Sequence, residues 1–316
     1  MTSRIGLGLA AAGRPAYITT GRAAAFAGGR SVDDLRSRCE ELLDAAYAAG
    51  VRYVDVARSY GRAEEFLAGW LEQHPDARVV VGSKWGYRYV GDWALDAPVH
   101  EVKDHTVKAF REQSTQSRSL LGDRLAIYHI HSLTPDSPAL TDQKLHRALA
   151  KLRDSGVRVG FSTSGPAQAD VVRAALAVRA GGEPLFSSVE STWNLLEPSA
   201  AEALTEAAVV GATVIVKEVV ANGRLAPGSG DASPVVAEAS RVAESLGASL
   251  DAVAYAAALE QPWAWQVLSG AVTPDQLAFN LQGEKLTLPT GFVESLAALA
   301  QPPEVYWSER SARPWS

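Results

Sequence analysis

The chain has 316 residues, 47% of them apolar, enough to bury one large core. With 30 Lys plus Arg against 36 Asp plus Glu, the net charge is −6; this favours solubility and excludes a phosphate-backbone binder, so nucleic acid is not an expected partner. The lone Cys39 excludes an internal disulfide and a cysteine metal site, and no apolar window reaches the ~18 residues of a membrane span.

Met1-Thr2-Ser3-Arg4 leads into a glycine-broken apolar run rather than a signal peptide, so a cytoplasmic chain with no membrane contact and no metal is expected. Short β-rich runs then alternate with longer helical-period segments, the pattern of a parallel sheet with crossover helices. In chain order, eight strands are expected near Ile5 to Ala10, Arg52 to Val56, Arg78 to Lys84, Leu125 to Ile130, Arg158 to Ser162, Leu185 to Glu190, Thr213 to Lys217 and Ala264 to Leu268. The reading is one (β/α)₈ TIM barrel over residues 1–316, a single domain with extra loops.

Between the first two strands, Ser31 is placed to cap a helix whose inner stripe is Leu35, Cys39, Leu42 and Ala46, which leaves Arg36, Glu40 and Glu41 in water. Further helices are expected near Leu145 to Ser155, Val235 to Leu246 and Leu250 to Leu259, whereas Ala11 to Gly29 and Pro227 to Pro234 read as surface loops. His105 is expected on a helix surface.

In such a barrel, side chains at the carboxyl ends of the strands share one mouth. Asp55 ends the second strand, Tyr60 follows it, Lys84 ends the third and His131 follows the fourth. A free phenol is a weak acid, with pKa about 10. A buried ammonium beside Tyr60 favours the phenolate, Asp55 keeps that ammonium charged and aimed, and His131 hydrogen-bonds a substrate oxygen. Together they make a carbonyl-reduction site. Taken singly, Asp55 and Lys84 also read as a structural ion pair, His131 as a structural histidine and Tyr60 as packing.

The segment Ala49-Gly50-Val51-Arg52-Tyr53-Val54-Asp55-Val56-Ala57-Arg58-Ser59-Tyr60-Gly61-Arg62-Ala63-Glu64, with Ser83-Lys84-Trp85 and Ile127-Tyr128-His129-Ile130-His131, resembles the signatures of the aldo-keto reductase family. The resemblance runs over nearly the whole chain. It implies an NAD(P)(H)-dependent oxidoreductase that interconverts a carbonyl (aldehyde, ketone or sugar) and an alcohol, with Tyr60 as proton donor and Lys84, Asp55 and His131 assisting. Position in the Ile-Tyr-His-Ile-His run selects His131 over His129.

The same resemblance implies the cofactor contacts: Ser162, Thr163 and Glu190 at the nicotinamide carboxamide, and Trp193 as the stacking ring. Gly223 and Leu225 fall along the pyrophosphate; Gly270, Gln276 and Asn280 fall at the adenosine end. NADP(H) is favoured by the resemblance and NAD(H) stays open, because Gly270 and Gln276 stand where the family carries basic residues and only Arg224 could reach a 2′-phosphate.

Two further departures are the Glu190 carboxylate in place of a glutamine, expected to favour oxidised nicotinamide, and Lys217-Glu218-Val219 in place of an aromatic and Ser-Pro. Lys217 thereby joins the expected cofactor contacts, and Lys217 with Glu218 reads as a local salt bridge. The rival readings are a cofactor-binding sensor or regulatory subunit with little turnover, and a lyase or isomerase that uses Lys84 as a Schiff-base nucleophile.

Overall fold

The computed structural model describes residues 2–18, 26 and 29–315. Eight parallel strands close into a barrel: β1 (Ile5–Gly8), β2 (Tyr53–Asp55), β3 (Val80–Trp85), β4 (Leu125–Leu133), β5 (Arg158–Thr163), β6 (Ser188–Thr192), β7 (Thr213–Lys217) and β8 (Gln266–Ser269). Each strand pairs with the next in sequence, and β8 returns to β1. The expected strands all exist. Their ends differ: β1 stops two residues early, β4 runs three residues further, and β6 lies past Leu185, which packs in the core before the strand.

Helices cover the outside, beginning with α1 (Val32–Ala48), α2 (Ala63–Gln73), α3 (Val107–Leu121) and α4 (Gln143–Asp154). Ser31 and Asp34 cap α1 reciprocally, and its buried residues include Leu35, Cys39, Leu42 and Ala46. The outer layer continues with α5 (Gln168–Leu176), α6 (Ala201–Val209), α7 (Pro234–Leu246), α8 (Leu250–Leu259) and α9 (Pro274–Gln282). Ser233 caps α7, Pro234 opens it, and the left-handed Gly247 closes it.

Two features over the carboxyl end escape the alternating pattern. A hairpin of Tyr87–Tyr89 and Glu101–Lys103 follows β3, and α10 (Phe292–Ala297) and α11 (Pro303–Ser311) close the chain. The expected surface loop Ala11 to Gly29 falls partly outside the described residues; what is described of it is largely buried, with Ala11, Ala12, Arg14 and Ala16 at most 2% exposed. For residues 11–16 that expectation is corrected: this described part is buried, and Ala11 and Arg14 line the cavity at the barrel mouth. The loop Pro227 to Pro234 does lie largely at the surface. Among the described residues no single helix is long and apolar enough to cross a membrane.

The barrel interior is filled in layers. Tyr53, Ile127, Ile215 and Leu268 form an apolar cluster. Glycines on the flanking strands make room for it: a Cβ on Gly6 would come 2.8 Å from the Tyr53 ring, and a Cβ on Gly82 would collide with the Tyr53 hydroxyl. Gly160 gives way in the same manner to His129, whose ring would lie 2.8 Å from an added Cβ. Two residues further along the strands, on the same face, the interior becomes charged.

Candidate active site

Lys84, the last residue but one of β3, is fully buried; its ammonium donates to Asp55 at the end of β2 and forms an ion pair with Glu190 of β6 at 3.1 Å. The same Nζ lies 5.1 Å from the centre of the Tyr60 ring. Tyr60, in the turn that leads into α2, meets His131 edge to face with ring centres 5.5 Å apart. The four residues expected to act together therefore adjoin one another, and Asp55, Tyr60 and His131 line one cavity of about 240 Å³ with Lys84 directly behind.

His131 reaches the mouth because β4 bulges at its end, where the register with β5 shifts between Ile130 and Leu133. Ser132 takes a left-handed φ of 55°. Its N–H donates to Ser162 Oγ at 2.8 Å, and the His131 carbonyl accepts from His105 Nε2 at 2.8 Å. His105 is thus buried, not a surface residue; burial lowers its pKa to about 4, so the neutral ring also accepts from Ser137. His129 points into the barrel below the mouth, 2.9 Å from Ser188 Oγ and 3.4 Å from Glu190.

The charges in this cluster set one another. Burial disfavours the Lys84 ammonium, but Asp55 and Glu190 outweigh it and hold the group charged. Burial and the Glu190 charge push Asp55 up to about 7, despite Lys84. Glu190 resists burial and is held down at about 2 by Lys84 and His129. Burial raises the Tyr60 phenol well above its ordinary value while Lys84 pulls the other way. Burial, with the charges of Lys84 and Arg14, keeps His131 neutral.

The remaining expected residues divide. Glu190, Lys217 and Gly270 line the cavity. Ser162 is spent on the β4 bulge, and Thr163 bonds Ser191 at 2.8 Å and Gln168 at 3.4 Å, away from the lining residues. Trp193, expected to stack on nicotinamide, is 1% exposed, meets Trp263 edge to face at 6.0 Å and is not among the residues lining the cavity. Gly223 and Leu225 are buried in the turn after β7. Gln276 accepts from the Val272 N–H at 2.9 Å, and Asn280 bonds Ser269 at 2.8 Å.

The expected pairing of Lys217 with Glu218 is present, and each residue also has a second partner. Glu218 pairs chiefly with Arg310 of α11, while Lys217 bonds Thr192 at 2.9 Å and stands 3.8 Å from Glu218. Arg224 is tied to Asp231 at 2.5 Å, with Gln301 and Glu309 beyond. The rest of the lining escaped the strand-end reasoning. Arg14 and Tyr17 come from the first loop, Tyr87 and Glu101 from the hairpin, and Arg310 and Trp315 from the carboxyl end. Among the described residues no group of three or more metal-ligating side chains is arranged for an ion.

The family model for aldo/keto reductases matches residues 18–301. This chain belongs to the aldo/keto reductase family. It is 27% identical over 286 residues to a D-threo-aldose 1-dehydrogenase of a Pseudomonas species, covering 81% of this chain and 86% of that one. The fold matches an aldo-keto reductase of Bacillus halodurans in its holo form, with a TM-score of 0.69 at 21% identity over 95% of this chain and 93% of the other. It also matches a glycerol dehydrogenase of Gluconobacter oxydans, with a TM-score of 0.68 at 22% identity over 95% and 93%. As an aldo/keto reductase the chain is an oxidoreductase acting between carbonyl and alcohol groups of small molecules, in a family that generally uses nicotinamide cofactors.

Proposed function

We propose that this chain interconverts a small-molecule carbonyl and its alcohol with a nicotinamide dinucleotide, Tyr60 giving the proton in reduction and taking it back in oxidation. The observation that carries this reading is the single ammonium of Lys84, fixed between two carboxylates and 5.1 Å from the Tyr60 ring, behind a cavity that His131 also lines. A carbonyl oxygen entering that cavity meets a neutral imidazole that can hydrogen-bond and polarise it. The phenol passes its proton to that oxygen, and Lys84 stabilises the phenolate left behind.

The lining fits the cofactor. Gly8, Ala10 and Ala11 form a wall of small residues, and nothing stands within 4 Å of a Cβ built on Gly270. Asn222 Oδ1 is buried on the cavity wall with no hydrogen-bond partner among the described residues, an acceptor suited to an amide or hydroxyl of a ligand. Asn222, Glu190, Lys217 and Gly270 would hold the dinucleotide, which supplies or accepts the hydride when bound. Glu190 would favour the oxidised ring only weakly, because the Lys84 ammonium 3.1 Å away offsets part of its charge. Gly270 and Gln276 carry no charge of their own and Arg224 is engaged with Asp231 and Glu309, which favours NAD(H) over the NADP(H) that the family resemblance alone suggests.

Fluorescence titration with both reduced dinucleotides, followed by a panel of aldehydes, ketones and aldoses, tests the reading. NADH is expected to bind at least as tightly as NADPH, with turnover of at least one carbonyl. Binding without any turnover would establish a sensor instead, and borohydride trapping of Lys84 would establish a Schiff-base enzyme.

A further inference from the structure

The buried charges behind the phenol do not favour its ionisation by themselves. Lys84 is one positive charge shared by two carboxylates, so Asp55, Lys84 and Glu190 together sum to minus one. A second cation lies over the same ring. Arg14 places its guanidinium carbon 5.0 Å from the centre of the Tyr60 ring, and its Nη1 donates to the carbonyl of Ser59, the preceding residue, at 3.2 Å.

Arg14 cannot drift from this position. Its Nε donates to the Ala10 carbonyl at 2.9 Å, and its Nη1 pairs with Glu101 of the hairpin at 2.5 Å. The backbones interlock as well: Arg62 N–H donates to the Gly13 carbonyl at 3.0 Å. A Cβ on Gly13 would come 2.9 Å from the Tyr60 carbonyl, and one on Gly61, with φ of +58°, would come 2.8 Å from Arg14 Cβ. Tyr17 and Trp315 flank the guanidinium at 4.5 and 4.9 Å. Although burial opposes the charge, Glu101, Tyr17 and Tyr60 outweigh it.

We propose that Arg14 is a positioning residue for the reaction, a second cation that stabilises the Tyr60 phenolate through the ring face and holds the turn that aims the phenol. A cation above an aromatic ring attracts its electrons, and does so more strongly once the ring carries a negative charge. The other groups facing Tyr60 are Lys84 on β3, Asp55 and Tyr53 on β2, Glu190 on β6, His131 on β4 and Tyr17 on the first loop. Glu101 acts in the opposite sense, by offsetting Arg14. The inference rests on Tyr60 being the proton-transfer group, but its test reads the phenol directly.

The test is a fluorine NMR titration of the full chain labelled with fluorotyrosine, the Tyr60 resonance being assigned by its loss in Tyr60→Phe. Arg14→Met should raise the Tyr60 midpoint by about one pH unit, Glu101→Gln should lower it, and Arg14→Lys should keep it near wild type. Midpoints that stay fixed in Arg14→Met and Glu101→Gln, or move the same way in both, overturn the proposal. So does a Tyr60 signal insensitive to pH up to unfolding in every variant. If Arg14→Met does not fold, Glu101→Gln decides alone: a downward movement supports the proposal, and no movement or an upward one overturns it. Full turnover in Tyr60→Phe would defeat the proposed function without altering this titration.

Discussion

At the level of Tyr53, Ile127, Ile215 and Leu268 the barrel interior is an apolar plug, whereas Asp55 and His129, two residues past Tyr53 and Ile127, join Lys84 of β3 and Glu190 of β6 in an ionic layer. Both layers are buried and both point inward, so the pleat that builds one builds the other. Their energetics are opposed. The lower layer gains by removing carbon from water, while the upper one carries a desolvation cost that ion pairing only offsets. Packing alone gives no reason to keep three charges there, and their position beneath the cavity is what the proposed chemistry uses.

Removing Lys84 breaks this comparison most severely. Lys84→Met leaves two carboxylates facing each other without a cation, and unfolding by urea at pH 8 should show a loss of about 3–5 kcal/mol. The loss should shrink as the pH falls and the carboxylates take up protons. An equal loss at pH 5 and pH 8 would place the cause in packing instead. The lower layer is probed by Gly82→Ala, whose Cβ collides with the Tyr53 hydroxyl; the expected cost is about 1–3 kcal/mol. Adding Tyr53→Phe should recover part of that cost, and a double variant no better than the single one would argue against the steric account.

Glu190→Gln sharpens the comparison with a smaller effect. Asp55 has its folded pKa raised to about 7 by burial and by Glu190, above the unfolded value of about 3.9. Its contribution to stability is therefore complete below about pH 4 and is lost as the pH rises through about 7. Without the Glu190 charge, the decline in stability from pH 5 to 7, followed by thermal melting, should be about 1 kcal/mol smaller. It should not vanish, because burial is the larger cause.

Much of this was legible before the fold was seen. Eight apolar runs marked eight strands, and the family signatures around Asp55, Tyr60, Lys84 and His131 placed the four groups at strand ends. The bond from Glu190 to Lys84 was not legible, because it spans the barrel and depends on which face of β6 points inward. Arg14 sits in a stretch of glycine and alanine that reads as solvent loop; only the interlock of Gly13 with Gly61 reveals it as a buried contact. His105 reads as a surface residue because its partner is the backbone of His131, which leaves no pattern in side chains.

The central claim is that the phenol of Tyr60 exchanges the proton beside Lys84 and His131. Its most direct test is the turnover of Tyr60→Phe with a carbonyl that the wild type reduces, measured together with the dissociation constant for the dinucleotide. The account predicts a fall in kcat of about 10²–10⁴-fold with dinucleotide affinity unchanged. Wild-type turnover in that variant would contradict it.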